Sequence, residues 1–327
     1  MGAACLLLLC FNLFAGSVSI PAPAVVSALF GGECNDVWRY IVLQSRLPQC
    51  LAALLCGSSL AVCGLLLQTA FRNPLAGPSV FGITSGASMG VAVVLLLMGG
   101  SVSAGGSGLS GFAAVFAAAF VGAMAVTAII LFCSTLVRDG VMLLIIGIMT
   151  GYLAGALSSL LSYISTAEGV KSYITWGMGS FSNVGLESIP CFAVVALAGI
   201  VGALLLVKPL NALLLGDRYA RNLGVSIRLC RNMLLLITGV LCAVCTAYCG
   251  PVAFIGLATP HVARLLLGSD NHRFLLPATM LGGAVIALLC QWLCVLPTLW
   301  NGPLLPLNAI TPLVGVPVII YIILKRQ

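Results

Sequence analysis

Ten apolar segments, each close to the length of a membrane-spanning helix, recur from one end of the chain to the other. They cover approximately residues 3–20, 48–70, 78–99, 111–135, 141–165, 188–207, 232–249, 252–267, 274–296 and 308–324. A helix of about 20 predominantly apolar residues crosses a bilayer, and a helix satisfies all of its own backbone groups there. Because 61% of the 327 residues are apolar and only 6% are charged, we predict an all-α polytopic membrane protein with about ten transmembrane helices.

A basic segment, residues 208–231, separates the sixth apolar segment from the seventh. It holds five of the fourteen Lys and Arg residues: Lys208, Arg218, Arg221, Arg228 and Arg231. Basic residues are retained on the cytoplasmic side of a membrane, so this segment is predicted to be a cytoplasmic loop. An even number of spans then places both termini in the cytoplasm. The remaining basic residues divide into an inner group and an outer group: Arg72, Arg138, Arg264, Arg273, Lys325 and Arg326 inside, and Arg39, Arg46 and Lys171 outside.

Membrane topology therefore explains the net charge of +7, and no nucleic-acid partner is expected. The cysteines lie mostly within apolar segments, where a free thiol behaves as a small hydrophobic group. Cys242 and Cys245 form a C-x-x-C pair, but no second pair or ligating His accompanies them, so we predict no metal site. The N-terminal apolar segment lacks a basic n-region and a clear cleavage site, and we interpret it as the first span.

The fifth apolar segment carries two stripes of small residues at four-residue spacing. Gly147, Gly151 and Gly155 have the spacing that lets two helices approach closely. A mildly polar stripe consists of Thr150, Ala154, Ser158 and Ser162. This polar stripe either lines a transport path, or its hydroxyl groups donate to the carbonyl four residues earlier in the helix. The spacing alone favours neither interpretation.

The sequence offers no energy source for transport. No apolar segment has an acidic residue in its middle, although ion-coupled carriers usually place ionisable groups there. The chain also lacks a P-loop. His261, which we interpret as the only His near a span, has no second ligand at metal-binding spacing and is predicted to be structural. A membrane enzyme would need a nucleophile–base pair or a metal cluster, and neither pattern is present.

Two loop regions add detail to this organisation. The external segment, residues 166–185, contains a stretch at 170–177 that is either an interfacial helix anchored by Trp176 or a plain surface loop. The sequences Gly77–Ile83 and Gly250–Leu257 are similar and lie five spans apart. That relation is expected of an inverted repeat in a transporter, with chance similarity as the alternative.

Short motifs spread over nearly the whole chain occur in an order that one protein family shares. They are Ser45-Arg46-Leu47-Pro48, Gly64-Leu65-Leu66-Leu67-Gln68, Arg72-Asn73-Pro74-Leu75-Ala76, Trp176-Gly177-Met178-Gly179-Ser180-Phe181, Leu215-Gly216 with Ala220-Arg221-Asn222-Leu223-Gly224, Gly250-Pro251, Phe254-Ile255-Gly256-Leu257 with Pro260-His261 and Arg264, and Pro306 with Thr311, Gly315 and Pro317. In this combination the chain resembles the FecCD-type permeases of ABC importers, which serve iron–siderophores, haem and cobalamin.

The resemblance implies a type II ABC importer permease fold in one transmembrane domain, residues 1–327. It also implies a homodimer or pseudo-dimer in the cell inner membrane, two cytoplasmic ATPase subunits and an external substrate-binding protein. ATP and magnesium would bind to the ATPase subunits, and no cofactor is expected on this chain. A stand-alone secondary transporter or channel remains the alternative.

The resemblance also assigns residues to four roles. The ATPase-coupling residues are Leu215, Gly216, Asp217, Arg218, Ala220, Arg221 and Gly224, with Ala220 and Gly224 expected to permit close docking. The translocation path would be lined by Thr150, Ala154, Ser158, Ser162, Asn308 and Thr311. Arg46 and Trp176 would contact the binding protein. Structural motif residues are Asn73, Pro74, Gly256, Pro260, His261 and Arg264.

Two positions depart from the family pattern. Gln49 stands where family members often carry a second basic residue three positions after Arg46. Asn308 stands where they commonly carry Gly, which places an amide near the mouth of the expected path. The first departure predicts an unusual charge pattern on the binding protein, and the second predicts a change in the gate or in the substrate.

Overall fold

The computed structural model describes residues 1–16, 18–97, 108–137, 140–300 and 302–325. Within these ranges the chain is helical and contains no β-strand. Arg138 and Arg326, two of the basic residues predicted to lie inside, fall outside the described residues, as do positions 17, 98 and 99 of the predicted spans.

Fifteen α-helices are described in these ranges, and they are numbered here in chain order. They are α1 (Gly2–Phe14), α2 (Ala22–Phe30), α3 (Asp36–Tyr40), α4 (Leu47–Phe71), α5 (Ile83–Leu97), α6 (Gly108–Leu136), α7 (Gly140–Ile164), α8 (Ala167–Gly177), α9 (Ile189–Leu205), α10 (Val207–Leu214), α11 (Asp217–Asn222), α12 (Ile227–Cys249), α13 (Ile255–Leu267), α14 (His272–Val295) and α15 (Leu307–Lys325). A π-helical turn, Ile41–Arg46, joins α3 to α4.

Each predicted apolar segment contains one of ten helices: α1, α4, α5, α6, α7, α9, α12, α13, α14 and α15. Six of them, namely α4, α6, α7, α9, α12 and α14, are long and apolar enough to cross a membrane, while the other four are shorter apolar helices. The prediction of an all-α polytopic membrane protein is confirmed.

Helix α4 forms the centre of the structure. It packs against α14, α12, α13 and α9, and most of its side chains are buried. Two glycine crossings bring neighbouring backbones into contact. A Cβ added to Gly57 would lie 2.3 Å from the carbonyl oxygen of Gly283 in α14, and one added to Gly64 would lie 1.6 Å from that of Gly256 in α13. Small residues allow such approaches between membrane helices, where packing drives association.

The two copies of the predicted repeat are breaks that precede short helices. Gly82 has φ +71° immediately before α5, and Phe254 has φ +64° immediately before α13. The helices therefore begin later than the apolar segments suggested, because Gly-Pro pairs and left-handed residues interrupt the backbone. The breaks also approach each other, since an added Cβ on Gly256 would lie 3.5 Å from Pro78 Cδ.

The external segment contains helix α8, as one of the two interpretations predicted. It begins three residues earlier than expected, at Ala167, because the Thr166 hydroxyl caps it by accepting a hydrogen bond from the Gly169 amide at 3.2 Å. The hydroxyl of Ser165 donates to the carbonyl of Leu96 at 2.8 Å, so the start of α8 is fixed against α5.

Candidate coupling segment and translocation path

The coupling segment, residues 215–224, is a short helix with a defined beginning and end. Gly216 has φ +111° between α10 and α11. At the other end, Gly224 has φ +81°, its amide donates to Arg221 at 2.9 Å, and the Val225 amide donates to Ala220 at 2.9 Å. These bonds form a Schellman motif, in which glycine is favoured at the left-handed position.

The segment has a buried side and an exposed side. Ala220 is fully buried and packs with Leu213 and Val225, so its small size serves packing within the subunit. The expectation that Ala220 itself permits docking of a partner is therefore corrected. Gly224 differs, because an added Cβ there would meet nothing within 4 Å.

Three apolar side chains form the exposed face of the coupling segment. Leu215 is 62% exposed, Tyr219 67% and Leu223 65%. Arg218 and Arg221 are exposed beside them. Tyr219 in α11 and Leu223 directly after it were not among the predicted coupling residues, although their four-residue spacing indicates one face of a helix.

Asp217 contacts the end of α4. Arg72 Nη2 lies 2.5 Å from Asp217 Oδ1, and it also donates to the Leu213 carbonyl at 3.3 Å. Both charged side chains are about half exposed, at 50% and 45%, and such pairs contribute about 0–1 kcal/mol. Asp217 therefore helps to orient α11 against α4.

A polar cluster lies beside this contact. The ring of His272, at the start of α14, contacts Thr69 on α4 and Asn211 on α10. The interpretation of His261 as the only His near a span is wrong, because His272 begins a spanning helix and is fully buried. The sequence signal for it was the Asn271 N-cap, whose side chain accepts a hydrogen bond from the Arg273 amide.

The predicted motif residues meet around the last turn of α4. Pro74 accepts a hydrogen bond from His261 Nε2 at 2.8 Å, and Asn73 Oδ1 accepts one from the Leu75 amide at 2.9 Å. His261 therefore has a structural contact, as predicted.

Gln68 joins the same turn of α4 to α13. Its side-chain amide donates to the Leu257 carbonyl at 3.2 Å and its oxygen accepts from Arg264 at 2.7 Å. Arg264 also pairs with Asp270 at 3.2 Å. Pro260, another motif residue, is buried within α13.

A cavity of about 510 Å³ lies between α5, α7 and the two repeat breaks. Of the predicted path residues, Ser158, Ser162 and Asn308 line it, whereas Thr150, Ala154 and Thr311 do not. Its lining also includes hydroxyl groups that the sequence analysis did not select: Ser79, Thr84, Ser85, Ser88, Ser159 and Tyr173. The lining contains no charged side chain.

The two interpretations of the α7 stripe are compatible. The hydroxyl groups of Thr150, Ser158 and Ser162 donate to the carbonyl four residues earlier at 2.8–2.9 Å. Ser158 and Ser162 also line the cavity, so their oxygens present acceptor lone pairs to it. Thr311 Oγ1 is buried and has no hydrogen-bond partner among the residues that the structure describes.

Asn308 joins α15 to the end of α8. Its backbone amide donates to the Met178 carbonyl at 2.9 Å, and its side-chain amide donates to the Gly177 carbonyl at 3.3 Å. Because Asn308 also lines the cavity, its departure from the family pattern supplies a link between the cavity and the external segment.

Arg46 is not available to an external partner. It is only 5% exposed, and its guanidinium donates to the carbonyls of Leu13 and Phe14, at the end of α1, and of Val18, which follows the helix. The expectation that Arg46 contacts a binding protein is therefore corrected, because the cation satisfies helix-terminal carbonyls instead. Gln49 is likewise engaged, since its oxygen accepts a hydrogen bond from Gln291 at 3.1 Å.

Trp176 lines a larger cavity, of about 1010 Å³, at the same end of the structure. The cavity is bordered by α8, the start of α6 and residues 304–307. Glu168 and Lys171 contribute the two charged side chains of its lining.

Gly-Pro breaks that meet beside a cavity, within a bundle of apolar helices, define a membrane permease of the repeat type. The FecCD transport family matches residues 4–325, and the chain belongs to this family. It is therefore a permease subunit of the ABC importer class, a transport protein and not an enzyme. Permeases of this class work with separate ATPase and substrate-binding proteins. The predicted family and fold are confirmed.

Curated relatives extend this similarity over almost the full chain. The hemin transport system permease HmuU of Yersinia pestis is 34% identical over 98% of this chain and 95% of its own length. The vitamin B12 import system permease BtuC of Salmonella typhi is 35% identical over 87% of this chain and 83% of its own.

Solved structures agree with the fold. A chain from an inward-facing conformation of a proposed metal-chelate type ABC transporter is 31% identical, with a TM-score of 0.84 over 99% of this chain and 97% of its own. A chain of PsaBC from Streptococcus pneumoniae shares the fold at 14% identity, with a TM-score of 0.56 over 85% of this chain and 90% of its own.

Proposed function

We propose that two copies of this chain form the membrane path of an ATP-driven importer for a metal chelate, such as siderophore-bound iron, haem or cobalamin. The exposed face of the coupling segment would dock into a cytoplasmic ATPase subunit. The observation that carries this proposal is that face itself: three exposed apolar side chains along the coupling segment, Leu215, Tyr219 and Leu223, flanked by two exposed arginines.

Exposed apolar groups ringed by polar ones are typical of a docking surface. The buried side of the segment holds it in place, because Ala220 packs within the subunit and Asp217 pairs with Arg72. ATP and magnesium bound by the ATPase pair would supply the force. Closure of the ATPase pair would displace the coupling segments and switch the path between its inward-open and outward-open forms.

The distribution of basic residues supports a cytoplasmic position for the coupling segment in the cell inner membrane. Arg72 pairs with the segment, Arg231 lies over the Phe71 ring at 5.7 Å, and Arg228 donates to the Thr135 carbonyl. These contacts gather the ends of α4, α6 and α12 on one side, which the positive-inside rule assigns to the cytoplasm. Both termini would then be cytoplasmic.

The uncharged, hydroxyl-rich cavity supports a path for a bulky chelate with a diffuse charge. A bare ion would require a ring of charges or carbonyl groups in place of its hydration shell. The hydroxyl groups of Ser158, Ser159 and Ser162 already donate to carbonyls of their own helix. They therefore offer the cavity only weak acceptors and no coordination shell for an ion. Affinity for the chelate would then reside in the external binding protein.

A second copy of the chain would complete this path. Tyr152, Leu160 and Tyr163 leave one face of α7 exposed beside the cavity, while Ser158 faces inward. Pairing of two copies across this face would enclose both cavities in one channel. The external binding protein would close the outer end, where Trp176 lines the larger cavity.

Replacement of Leu223 by Ala tests the docking surface. The permease would be co-expressed with its ATPase subunit, and the ATPase retained on a tagged permease would be measured in detergent. Leu266→Ala is a matched control, since Leu266 is also 65% exposed and ends α13 near Arg264. The proposal expects L223A to lose ATPase that L266A retains. Equal retention by both variants would overturn the docking assignment.

A further inference from the structure

The strongest feature that the proposed function leaves unused is the polar cluster of His272, Thr69 and Asn211, in which His272 and Thr69 are buried and Asn211 is half-buried. We propose that this cluster is a mechanical joint, with His272 as a positioning residue that transmits displacement of the coupling segment to α4 and α14. The inference rests on the proposed function, because it requires an ATPase that moves the segment.

Each member of the cluster comes from a different helix. His272 is fully buried at the first position of α14, and Thr69 is 4% exposed in the last turn of α4. Asn211 lies on α10, four residues before Leu215. The His272 ring lies 2.8 Å from Thr69 Oγ1 through Nε2 and 2.9 Å from Asn211 Oδ1 through Nδ1. The imidazole therefore bridges the other two helices.

The hydrogen bonds of the cluster determine which ring nitrogen of His272 carries the proton. The Asn211 side-chain amide donates to Asn271 Oδ1 at 2.9 Å, so its own oxygen faces His272. That oxygen accepts from the His272 backbone amide at 2.8 Å and from Nδ1–H of the ring. A neutral ring then carries its proton on Nδ1, and Nε2 accepts the Thr69 hydroxyl proton.

Thr69 has a second acceptor within reach, the Leu65 carbonyl at 2.9 Å. The hydroxyl proton can serve only one acceptor at a time. When it points to His272, α4 is bonded to α14; when it points to Leu65, the bond stays within α4. A rotation of one hydroxyl group therefore makes or breaks the bond between the two helices.

The surroundings make the cluster a rigid connection. Leu210 and Leu213 bury α10 on both sides of Asn211, and Leu213 also accepts a hydrogen bond from Arg72. The Thr69–His272 hydrogen bond is buried, and a hydrogen bond is stronger there than in water because the local dielectric constant is low. Displacement of the face at Leu215 would thus move Asn211 and, through His272, the ends of both spanning helices.

If the cluster served only to pack the helices together, polar side chains would not be needed there. Burial of an imidazole and a hydroxyl group costs free energy unless each is bonded, and apolar side chains of similar volume avoid that cost. The ring contacts of His272 run between helices, to α4 and to α10. A polar joint specifies one relative position of three helices, which is what transmission requires.

Three substitutions at His272 separate the two halves of the joint. H272N keeps a donor near the Nδ1 position and so retains the contact with Asn211. H272Q keeps an acceptor near the Nε2 position and so retains the contact with Thr69. H272L fills similar volume and removes both. Thr69→Val removes the partner hydroxyl, and Thr279→Val is its matched control, since Thr279 Oγ1 in α14 is buried without a hydrogen-bond partner among the described residues.

Each variant would be reconstituted in liposomes as the full complex with ATPase subunits and binding protein. Substrate uptake per ATP hydrolysed, the ATPase kcat and KM, and ATPase retention would be measured. H272L and T69V are expected to lower uptake per ATP by about ten-fold, within the coupling range typical of distant sites. ATPase retention and the KM for ATP should stay unchanged, T279V should match the wild type, and H272N and H272Q should be intermediate.

Unchanged uptake per ATP in H272L, in a complex that is fully assembled, would overturn the joint. Equal loss in T279V and T69V would also overturn it, since the loss would then reflect any buried hydroxyl. The proposed function fails differently: the wild-type complex itself would show no ATP-dependent uptake or would retain no ATPase. If H272L failed to assemble, T69V would give the decisive comparison, because it changes a single buried hydroxyl group.

Discussion

Burial decides what individual residues of this permease do, even where the residue type suggests another role. Arg46 has the charge of an external docking residue, but it is buried and bonded to two carbonyls at the end of α1 and to a third just beyond the helix. Ala220 has the size of a docking residue but packs inside the subunit. Gly224 and the exposed side chains beside it remain available to a partner.

Arg46→Met is predicted to destabilise the protein while leaving contacts with an external protein unaffected. Loss of the guanidinium leaves helix-terminal carbonyls of α1 without a donor, and each such buried group costs about 1–3 kcal/mol. The midpoint temperature of thermal unfolding in detergent should therefore fall clearly. Arg39→Met is the control, because the Arg39 guanidinium donates to an exposed carbonyl, that of Gly32. A midpoint that falls no further in R46M than in R39M would remove the structural role from Arg46.

The residue roles that the sequence could not predict all depend on contacts between distant segments. Arg46 reaches Leu13, 33 positions away, and His272 reaches Thr69, 203 positions away. Nothing local to either residue indicates these partners. By contrast, the four-residue spacing of Tyr219 and Leu223 was present in the sequence and indicated part of the exposed apolar face of the coupling segment.

At the scale of the element, glycine residues near both ends of the coupling segment set its backbone conformation. Gly216 and Gly224 both have positive φ, and Gly224 completes the Schellman motif that ends α11. A substitution at Gly224 can therefore act through backbone strain or through bulk added to the docking surface. The two effects can be separated by the choice of residue.

Gly224→Asn and Gly224→Val are predicted to uncouple ATP hydrolysis from uptake to a similar extent. Asn tolerates the left-handed conformation, whereas a β-branched residue does not. Both add a side chain where the subunit leaves open space. Uptake and ATP hydrolysis would be measured together in proteoliposomes. Normal coupling in G224N with lost coupling in G224V would show that backbone conformation matters there and docking does not.

Helices as elements were largely predictable, because continuous apolar runs can only be buried in lipid or protein. The positions at which the helices are interrupted were less predictable. The apolar segment at 78–99 includes the turn before α5, since Val80 and Phe81 are as apolar as the helix that follows. The repeat at Gly77 and Gly250 marked these breaks correctly, and the close contact of the two breaks emerged only in three dimensions.

At the scale of the whole molecule, α4 connects the cavity end of the permease to its coupling end. Its middle is locked to α13 and α14 through glycine crossings, and its last turn contacts His272 and Arg264 through side chains. Force applied at the coupling segment would therefore reach the repeat breaks beside the cavity without passing through an exposed loop. No acidic residue lies in the middle of an apolar segment of the sequence to supply ion coupling instead.

Transport by the purified proteins in liposomes tests directly whether uptake requires ATP and the ATPase subunits. Uptake of a labelled ferric hydroxamate, haemin or cyanocobalamin would be followed with ATP, the ATPase subunits and the external binding protein present, and separately with the permease alone under a proton or sodium gradient. We expect uptake of at least one of these chelates only when ATP and the ATPase subunits are both supplied. Uptake by the permease alone, driven by an ion gradient, would contradict the proposal that ATP hydrolysis drives transport through the coupling segment.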